Sequence, residues 1–181
     1  MASLTEDVGP YTVLREEKVG ATIGGELITN AVLALVISWA LIILYVAYRF
    51  EWRFGVAAVL ALIHDIIIVL AVFSFTQRQV DSSFIAALLT IVGYSINDTI
   101  VIFDRIRENL KLHPKRAKED IQGLFNDSIN QTLARTINTS VSTLIVLLCI
   151  LFLGGKSIQP FAFAMTLGVI FGTLSSIFIA S

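Results

Sequence analysis

Five long runs of apolar residues divide the chain at short polar connections. None of the runs alternates as the strands of a membrane barrel do, and each is close to the ~20 residues that cross a bilayer as helix. Because a helix satisfies its backbone hydrogen bonds internally, the pattern predicts an all-α, polytopic membrane helix bundle. The five predicted transmembrane helices occupy about 29–48, 54–75, 83–103, 136–153 and 161–180.

The one long connection, 104–135, has a helical period of its own. Apolar residues recur in it at steps of three and four, at Ala117, Ile121, Leu124, Phe125, Ile129 and Leu133. Since the opposite face is polar, we predict an interfacial amphipathic helix that lies along the cytoplasmic interface and bends into the fourth span. A docking face for a cytosolic partner is the alternative interpretation.

Lys and Arg residues are distributed unevenly between the two ends of the predicted spans. One side holds nine, Arg49, Arg53, Arg105, Arg107, Lys111, Lys115, Arg116, Lys118 and Arg135, and the other holds four, Arg15, Lys18, Arg78 and Lys156. Because positive charge concentrates in cytoplasmic loops, the first side is predicted to face the cytoplasm. Residues 1–28 then form a periplasmic-side N-terminal segment, 29–181 form the transmembrane domain, and the C-terminus is cytoplasmic. We expect a piece of a longer protein, since polytopic chains rarely begin outside the cytoplasm without an earlier span.

The composition agrees with an integral membrane protein. Hydrophobic residues make up 56% of the chain and charged residues 15%, with a mean hydropathy of +0.82, which places it outside the soluble globular class. The net charge of -1, without a basic cluster among aromatics, argues against a nucleic-acid partner. No metal-ligand spacing, phosphate-binding loop or nucleophile with a base is present in the sequence, so we expect neither an enzyme nor a cofactor or metal.

The sequence pair Asn97-Asp98 lies inside the third apolar run. A carboxylate in the hydrocarbon core costs roughly 2.5–3.5 kcal/mol on insertion scales, and such groups usually belong to a proton or ion pathway. Asp98 is therefore the first candidate for a functional site. The alternative is an acid that is neutralised by protonation or by an arginine and serves only to hold two helices together.

Residues three and four apart share one face of a helix, which groups Tyr94 and Ser95 with Asp98. We therefore expect hydroxyl groups one turn from the carboxylate. Asn97 is predicted to face about 100° away from Asp98, where small residues would let another helix approach. These polar side chains form the predicted polar stripe of the third span.

A second polar stripe begins at Arg135 on the fourth span and continues through Asn138, Thr139, Ser142 and Thr143. Two polar stripes in lipid are expected to face each other or a wet cavity. We therefore predict that Arg135 and Asp98 are electrostatically coupled, directly or through water. The alternative is that Arg135 extends to the membrane interface and makes no such contact.

His64 and Asp65 lie near the midpoint of the second apolar run. A histidine beside an aspartate at this depth is a candidate proton relay, because the imidazole titrates near neutral pH. It is equally a candidate hydrogen-bonded clamp. We favour the clamp, because adjacent helical residues point in different directions and are not expected to form one site.

The stretch from Gly93 to Asn109, GYSINDTIVIFDRIREN, resembles the signature of SecF, the smaller partner in bacterial SecD-SecF protein export. Further similar segments follow the same order and spacing: Val19-Gly20, Gly25-Glu26-Leu27, Arg49-Phe50-Glu51-Trp52-Arg53-Phe54, His64-Asp65, Ser128-Ile129-Asn130-Gln131-Thr132-Leu133, Arg135-Thr136, Gly154-Gly155 and Ser175-Ser176-Ile177. The resemblance covers nearly the whole chain from Val19 onward.

This resemblance implies a membrane domain of the resistance-nodulation-division type in the bacterial cytoplasmic membrane. Its partners would be SecD, a SecY-type channel and the exported preprotein, and it would use protons to drive late steps of export. The family's intramembrane acid corresponds to Asp98 and its essential arginine to Arg135. Members of this family usually have a first transmembrane helix and a periplasmic domain before Val19, so the resemblance also implies a fragment that lacks both. Two alternatives stay open, a proton-coupled exporter of small molecules and a passive scaffold for the export channel.

Overall fold

The computed structural model describes residues 21–50, 52–78 and 80–181, with only the backbone described for 21–24. Within these ranges the chain is helical, without strands: α1 (Ala21–Arg49), α2 (Trp52–Phe75), α3 (Ser82–Leu112), α4 (Arg116–Glu119), α5 (Ile121–Leu153) and α6 (Gln159–Phe178). All but the single turn α4 are long and apolar enough to cross a membrane. The predicted all-α bundle of five transmembrane helices is confirmed. Most of the predicted segment 1–28 lies outside the described residues.

The polar connection between the third and fourth spans is mostly continuous with those spans. α3 continues past the predicted end of its span to Leu112, where Pro114 prevents further helix. α5 begins at Ile121, capped by the Asp120 side chain, which accepts a 2.9 Å hydrogen bond from the Gly123 backbone N–H. The predicted amphipathic segment is therefore divided among the end of α3, α4 and the first part of α5.

The apolar face of that first part of α5 packs against the bundle. Leu124 is buried, and Phe125 and Ile129 pack against a cluster that contains Phe103 and Ile106 of α3. Because α5 runs unbroken from Ile121 to Leu153, this face continues directly into the fourth span.

The helices are arranged around α6, which packs against α2, α3 and α5. In the apolar 18-residue stretch of α6, 56% of the residues are buried, whereas in that of α1 only 6% are buried. α1 contacts chiefly α2 and so lies at the edge of the described bundle. One aromatic cluster in the interior contains Phe73 and Phe84, whose ring centroids lie 4.2 Å apart.

Close packing between α3 and α6 depends on Gly168. A Cβ atom at this position would lie 2.3 Å from the Cγ1 atom of Ile91, well inside the distance that real Cβ atoms keep. The hydrogen of glycine therefore allows the two helices to approach at this point, as small residues commonly do between membrane helices. This contact brings the polar side chains of the two helices within reach of each other.

Candidate functional site

Asp98 lies in the interior of the bundle. Its side chain comes from the middle of α3 and is only 3% exposed. The Oδ2 atom is buried and receives no hydrogen bond from any described residue. Buried carboxylate oxygens are normally paired, so this atom needs a specific explanation. Gain and loss of a proton would supply one, because protonation removes the charge that the interior disfavours.

Arg135 acts on Asp98 from the neighbouring helix α5. Arg135 is exposed, and its positive charge is near enough to attract an ionised Asp98 carboxylate. The described part of the chain nevertheless contains no ion pair within 4.0 Å between these two residues. In this structure the attraction therefore acts across a gap, without the two-pronged contact that arginine often makes with a carboxylate.

The hydroxyl groups predicted beside Asp98 bind other partners. Ser95 donates a 2.8 Å hydrogen bond to Oδ2 of Asp65 on α2, and Tyr94 donates a 3.2 Å hydrogen bond to Thr143 on α5. Residues three apart on a helix differ by about 60° in direction, which is enough to face a different neighbour. Tyr94 and Ser95 thus donate to residues other than Asp98, and their role in a polar stripe that supports Asp98 stays a prediction.

The other stripe residues point outward. Asn97, Thr139 and Ser142 are exposed. Thr139 donates to the Arg135 carbonyl at 2.9 Å, and Ser142 donates to the Asn138 carbonyl at 2.7 Å. Each of these bonds uses the hydroxyl proton within its own helix and leaves the oxygen able to accept. Thr143, at the end of the same stripe, donates to the Thr139 carbonyl at 2.9 Å and also accepts the hydrogen bond from Tyr94, so the stripe of α5 meets α3 at Thr143.

The buried polar face of α5 lies on a different line of residues. Four hydroxyl side chains recur there at intervals of four, and all are buried: Ser128, Thr132, Thr136 and Ser140. Ser140 and Thr173 of α6 are joined at 2.6 Å, whereas Oγ1 of Thr136 has no hydrogen-bond partner among the described residues. The four-residue spacing of these hydroxyls is visible in the sequence, but the predicted stripe followed the adjacent line of residues, which contains the charged Arg135.

Asp65 is the centre of a hydrogen-bonded cluster of three helices. Its side chain is fully buried at 0% exposure, and its Oδ2 atom accepts hydrogen bonds from Ser95 of α3 and Ser175 of α6, both at 2.8 Å. Gly172 makes room for the cluster, because a Cβ there would lie 3.1 Å from the Cβ of Ser95. The cluster therefore ties α2, α3 and α6 together.

His64 extends this cluster to the outer face of α2. Its Nδ1 atom lies 3.3 Å from Oδ1 of Asp65, although its side chain is 42% exposed. The expectation that these adjacent side chains would not meet was wrong, because the imidazole is long enough to reach back along the helix surface. Both carboxylate oxygens of Asp65 have partners, as a hydrogen-bonded clamp requires. Asp98, whose Oδ2 atom is unpaired, matches such a clamp less well.

A second pair of hydroxyls adds to the contact between α3 and α6. Thr99 and Ser176 are joined at 2.9 Å, and both are buried. The partners of Ser175 and Ser176 lie 110 and 77 positions away in sequence, so periodicity within one helix gives no sign of these contacts. Among the described residues, no group of three or more His, Cys, Asp or Glu side chains is arranged to hold a metal ion.

Comparison with known proteins identifies the family. The model of a family described as "Protein export membrane protein SecD/SecF, C-terminal" matches residues 1–181. The chain belongs to the SecD/SecF family. This SecD/SecF chain is 52% identical over 172 residues to protein translocase subunit SecDF of Thermus thermophilus, which covers 94% of the chain and 23% of that protein. It is 42% identical over 181 residues to protein translocase subunit SecF of Sebaldella termitidis, which covers 100% of the chain and 58% of that protein.

A solved SecDF structure confirms the fold of this SecD/SecF chain. The crystal structure of SecDF in a super-membrane-facing form matches it with a TM-score of 0.82 and 45% sequence identity, over 99% of this chain and 24% of that one. The resemblance inferred from the sequence is thereby confirmed, and with it a multi-pass membrane protein. The chain spans 58% or less of the length of the two relatives named above.

Proposed function

We propose that this chain is a membrane subunit of the Sec protein-translocation machinery that couples the proton motive force to protein export. It would act with a SecD-type half and a SecY-type channel on exported preproteins. One observation carries the proposal: Asp98 is buried within a membrane span, with one carboxylate oxygen unpaired and the charge of Arg135 acting on it. A purely structural acid would be expected to have its oxygens paired, as those of Asp65 are.

The switch in this proposal is the charge of Asp98. When the carboxylate is ionised, it attracts Arg135, and when it is protonated, the attraction ends. A proton that moves through the full membrane potential releases about 2.3 kcal/mol per 100 mV, enough to bias two states that differ by a few kcal/mol. The part of the structure that changes between these two states would be the packing of α3 against α5.

The contacts between α3 and α5 support such a movement. In the membrane-spanning part, one side-chain hydrogen bond links the described residues of the two helices, Tyr94 to Thr143 at 3.2 Å. At the polar end, Asn109 donates to Ser128 at 2.8 Å, and both side chains are buried. A shift that begins at Asp98 would therefore break one weak bond and pivot about the buried Asn109–Ser128 contact.

We propose the orientation that the distribution of Lys and Arg predicts. The ends that carry Arg49 and Arg135 would face the cytoplasm in the bacterial inner membrane, with 104–135 on the cytoplasmic side. Residues 1–28 would be periplasmic, 29–181 would form the membrane domain, and the C-terminus would be cytoplasmic. Protons and the bilayer are then direct partners of this chain. We propose a transport role without enzymatic activity.

The decisive experiment is Asp98→Asn in the complete export assembly, reconstituted in vesicles with and without a proton gradient. We expect gradient-dependent export to be lost, while membrane insertion and gradient-independent export continue. Asp104→Asn is the matched control, because Asp104 is an exposed acid on the same helix. Full gradient-dependent export by the Asp98→Asn assembly would refute the proposal.

A charge exchange separates the proton switch from a passive scaffold. Asp98→Arg combined with Arg135→Asp would keep a pair of opposite charges but move the protonatable group to α5. A scaffold would tolerate this exchange, whereas a switch that requires the acid on α3 would not. The same assembly, assayed with and without a proton gradient, distinguishes the two.

A further inference from the structure

A cavity of about 330 Å³ lies where the turn between α1 and α2 meets the polar end of α3. Its lining consists of Phe50, Phe54, Arg107, Leu110 and Lys111. α3 continues to Leu112, so its last turns extend past Arg49 and Phe50 and close one side of the cavity. The cavity therefore lies at an end of the bundle, at the level where apolar spans give way to charged residues.

Two cations project from one face of α3 into this cavity. Arg107 and Lys111 are four residues apart, so their side chains lie one above the other. Arg107 is held in place, because its Nη1 atom donates a 3.0 Å hydrogen bond to the Arg49 carbonyl and its guanidinium carbon lies 5.8 Å from the centre of the Phe50 ring. Lys111 is exposed and free to follow a ligand.

The carboxylates nearby have other arginine partners. Asp104 is paired with Arg49 at 3.4 Å, and Glu108 is paired with Arg105 at 2.6 Å. No carboxylate of the described chain lies within 4.0 Å of Arg107 or Lys111. Among the residues that the structure describes, then, no carboxylate neutralises these two positive charges, and an anionic ligand would do so.

The remaining walls of the cavity are apolar. Phe50 and Phe54 both pack against Phe103, with ring centroids 6.2 Å and 4.8 Å from it, so the aromatic wall is anchored to the core. Tyr48 and Trp52, on either side of Phe50, are 92% and 65% exposed. Exposed aromatics of this kind are typical of the membrane interface. A ligand here would need an anionic head and an apolar body.

We propose that this cavity binds the phosphate headgroup of an anionic phospholipid. Arg107 and Lys111 would contact the phosphate oxygens, and the first methylene groups of the acyl chains would lie against Phe50, Phe54 and Leu110. Basic pockets between membrane helices commonly take such headgroups, and arginine matches the geometry of phosphate. The apolar walls favour a lipid over free phosphate. The inference is independent of proton coupling and of which leaflet the cavity faces.

Trp52 provides a direct test beside the cavity. The chain has two tryptophans, so Trp39→Phe leaves Trp52 as the only tryptophan, which can be excited at wavelengths longer than those that tyrosine absorbs. The purified full chain in detergent would be titrated with phosphatidylglycerol and with phosphatidylcholine that carry the same brominated acyl chains. We expect phosphatidylglycerol to quench Trp52 at a concentration at least tenfold lower. Equal quenching by the two lipids would overturn the proposal.

A charge-matched pair of variants locates the effect. In the same Trp39→Phe background, we test a double variant that carries Arg107→Gln and Lys111→Gln. It is expected to bind phosphatidylglycerol more weakly by about fivefold for each charge removed. Lys115→Gln with Lys118→Gln removes the same charge outside the cavity and is expected to leave binding unchanged. Circular dichroism checks that both variants keep their helices. An equal loss in the control pair, or displacement of the lipid by millimolar inorganic phosphate, would overturn the assignment to a phospholipid.

Discussion

Ser175 near the end of α6 donates a 2.8 Å hydrogen bond to Asp65 of α2, across 110 positions of sequence. The same carboxylate oxygen accepts from Ser95 of α3, three residues before Asp98. The bundle therefore holds two buried acids, one with both oxygens contacted and the other with an unpaired Oδ2 atom. This difference in pairing supports the proposal that Asp65 holds helices together while Asp98 exchanges a proton.

The two acids are expected to differ in their contribution to stability. Asp65→Ala leaves the hydroxyls of Ser95 and Ser175 without their acceptor and should lower the free energy of unfolding by about 3 kcal/mol. Asp98→Ala removes no hydrogen bond to a described residue and should change it by less than about 1 kcal/mol. Unfolding by titration with dodecyl sulfate in mixed micelles measures both. Similar losses for the two variants would show that Asp98 also has a structural role.

Gly168 is expected to be intolerant of a methyl group. Gly168→Ala should destabilise the bundle by about 1–3 kcal/mol, because the new Cβ would meet Ile91 at 2.3 Å. Gly93→Ala is the control, since a Cβ there meets nothing within 4 Å, and replacing glycine inside a helix should gain up to about 1 kcal/mol. Ile91→Ala removes all three of the close side-chain atoms, so a smaller loss from Gly168→Ala in an Ile91→Ala background than in the original chain would identify the clash. If Gly168→Ala left the stability of the bundle unchanged, α3 and α6 would be able to move apart at this point without loss of stability.

Arg135 is expected to act through its charge. Because no direct ion pair joins it to Asp98 in this structure, Arg135→Lys should keep a substantial part of gradient-dependent export in the complete assembly. Arg135→Gln should lose it. Export into vesicles with and without a proton gradient measures both variants. If Arg135→Lys were as inactive as Arg135→Gln, the guanidinium geometry itself would be required, in a state where it contacts Asp98 directly.

Crosslinks should distinguish the moving end of the interface between α3 and α5 from its pivot. In a Cys149→Ser background, a short bis-maleimide joining Tyr94→Cys to Thr143→Cys should stop gradient-dependent export. The same reagent joining Asn109→Cys to Ser128→Cys should leave most of it, because that contact is proposed as the pivot. The uncrosslinked double variants are the controls for the substitutions. Unimpaired export with the first crosslink in place would exclude a shift of α3 against α5.

The sequence was sufficient for the five spans because hydropathy and length are properties of each segment alone. It was insufficient for the pairing of side chains across the bundle. Periodicity placed Ser95 on the same face as Asp98, but which neighbouring helix that face meets depends on close contacts such as those at Gly168 and Gly172. The same limit applied to α5, where one position separates the outward Arg135 from the buried Thr136.

Helix ends in the polar connection were also harder to predict. Hydropathy marks where a span leaves the lipid, but a helix continues until its backbone is interrupted. Pro114 and the Asp120 cap determine those ends, and both are local signals that a search for apolar runs passes over.

The low burial of α1 has an evolutionary consequence. Only 6% of its apolar 18-residue stretch is buried against the described chain, so packing within this chain leaves substitutions there among leucine, isoleucine and valine unconstrained. Substitutions in α6, which is buried on several sides, are more restricted, because each side chain must match the shape of its neighbours. Within one membrane domain, drift in sequence should therefore be rapid at the periphery and slow at the centre.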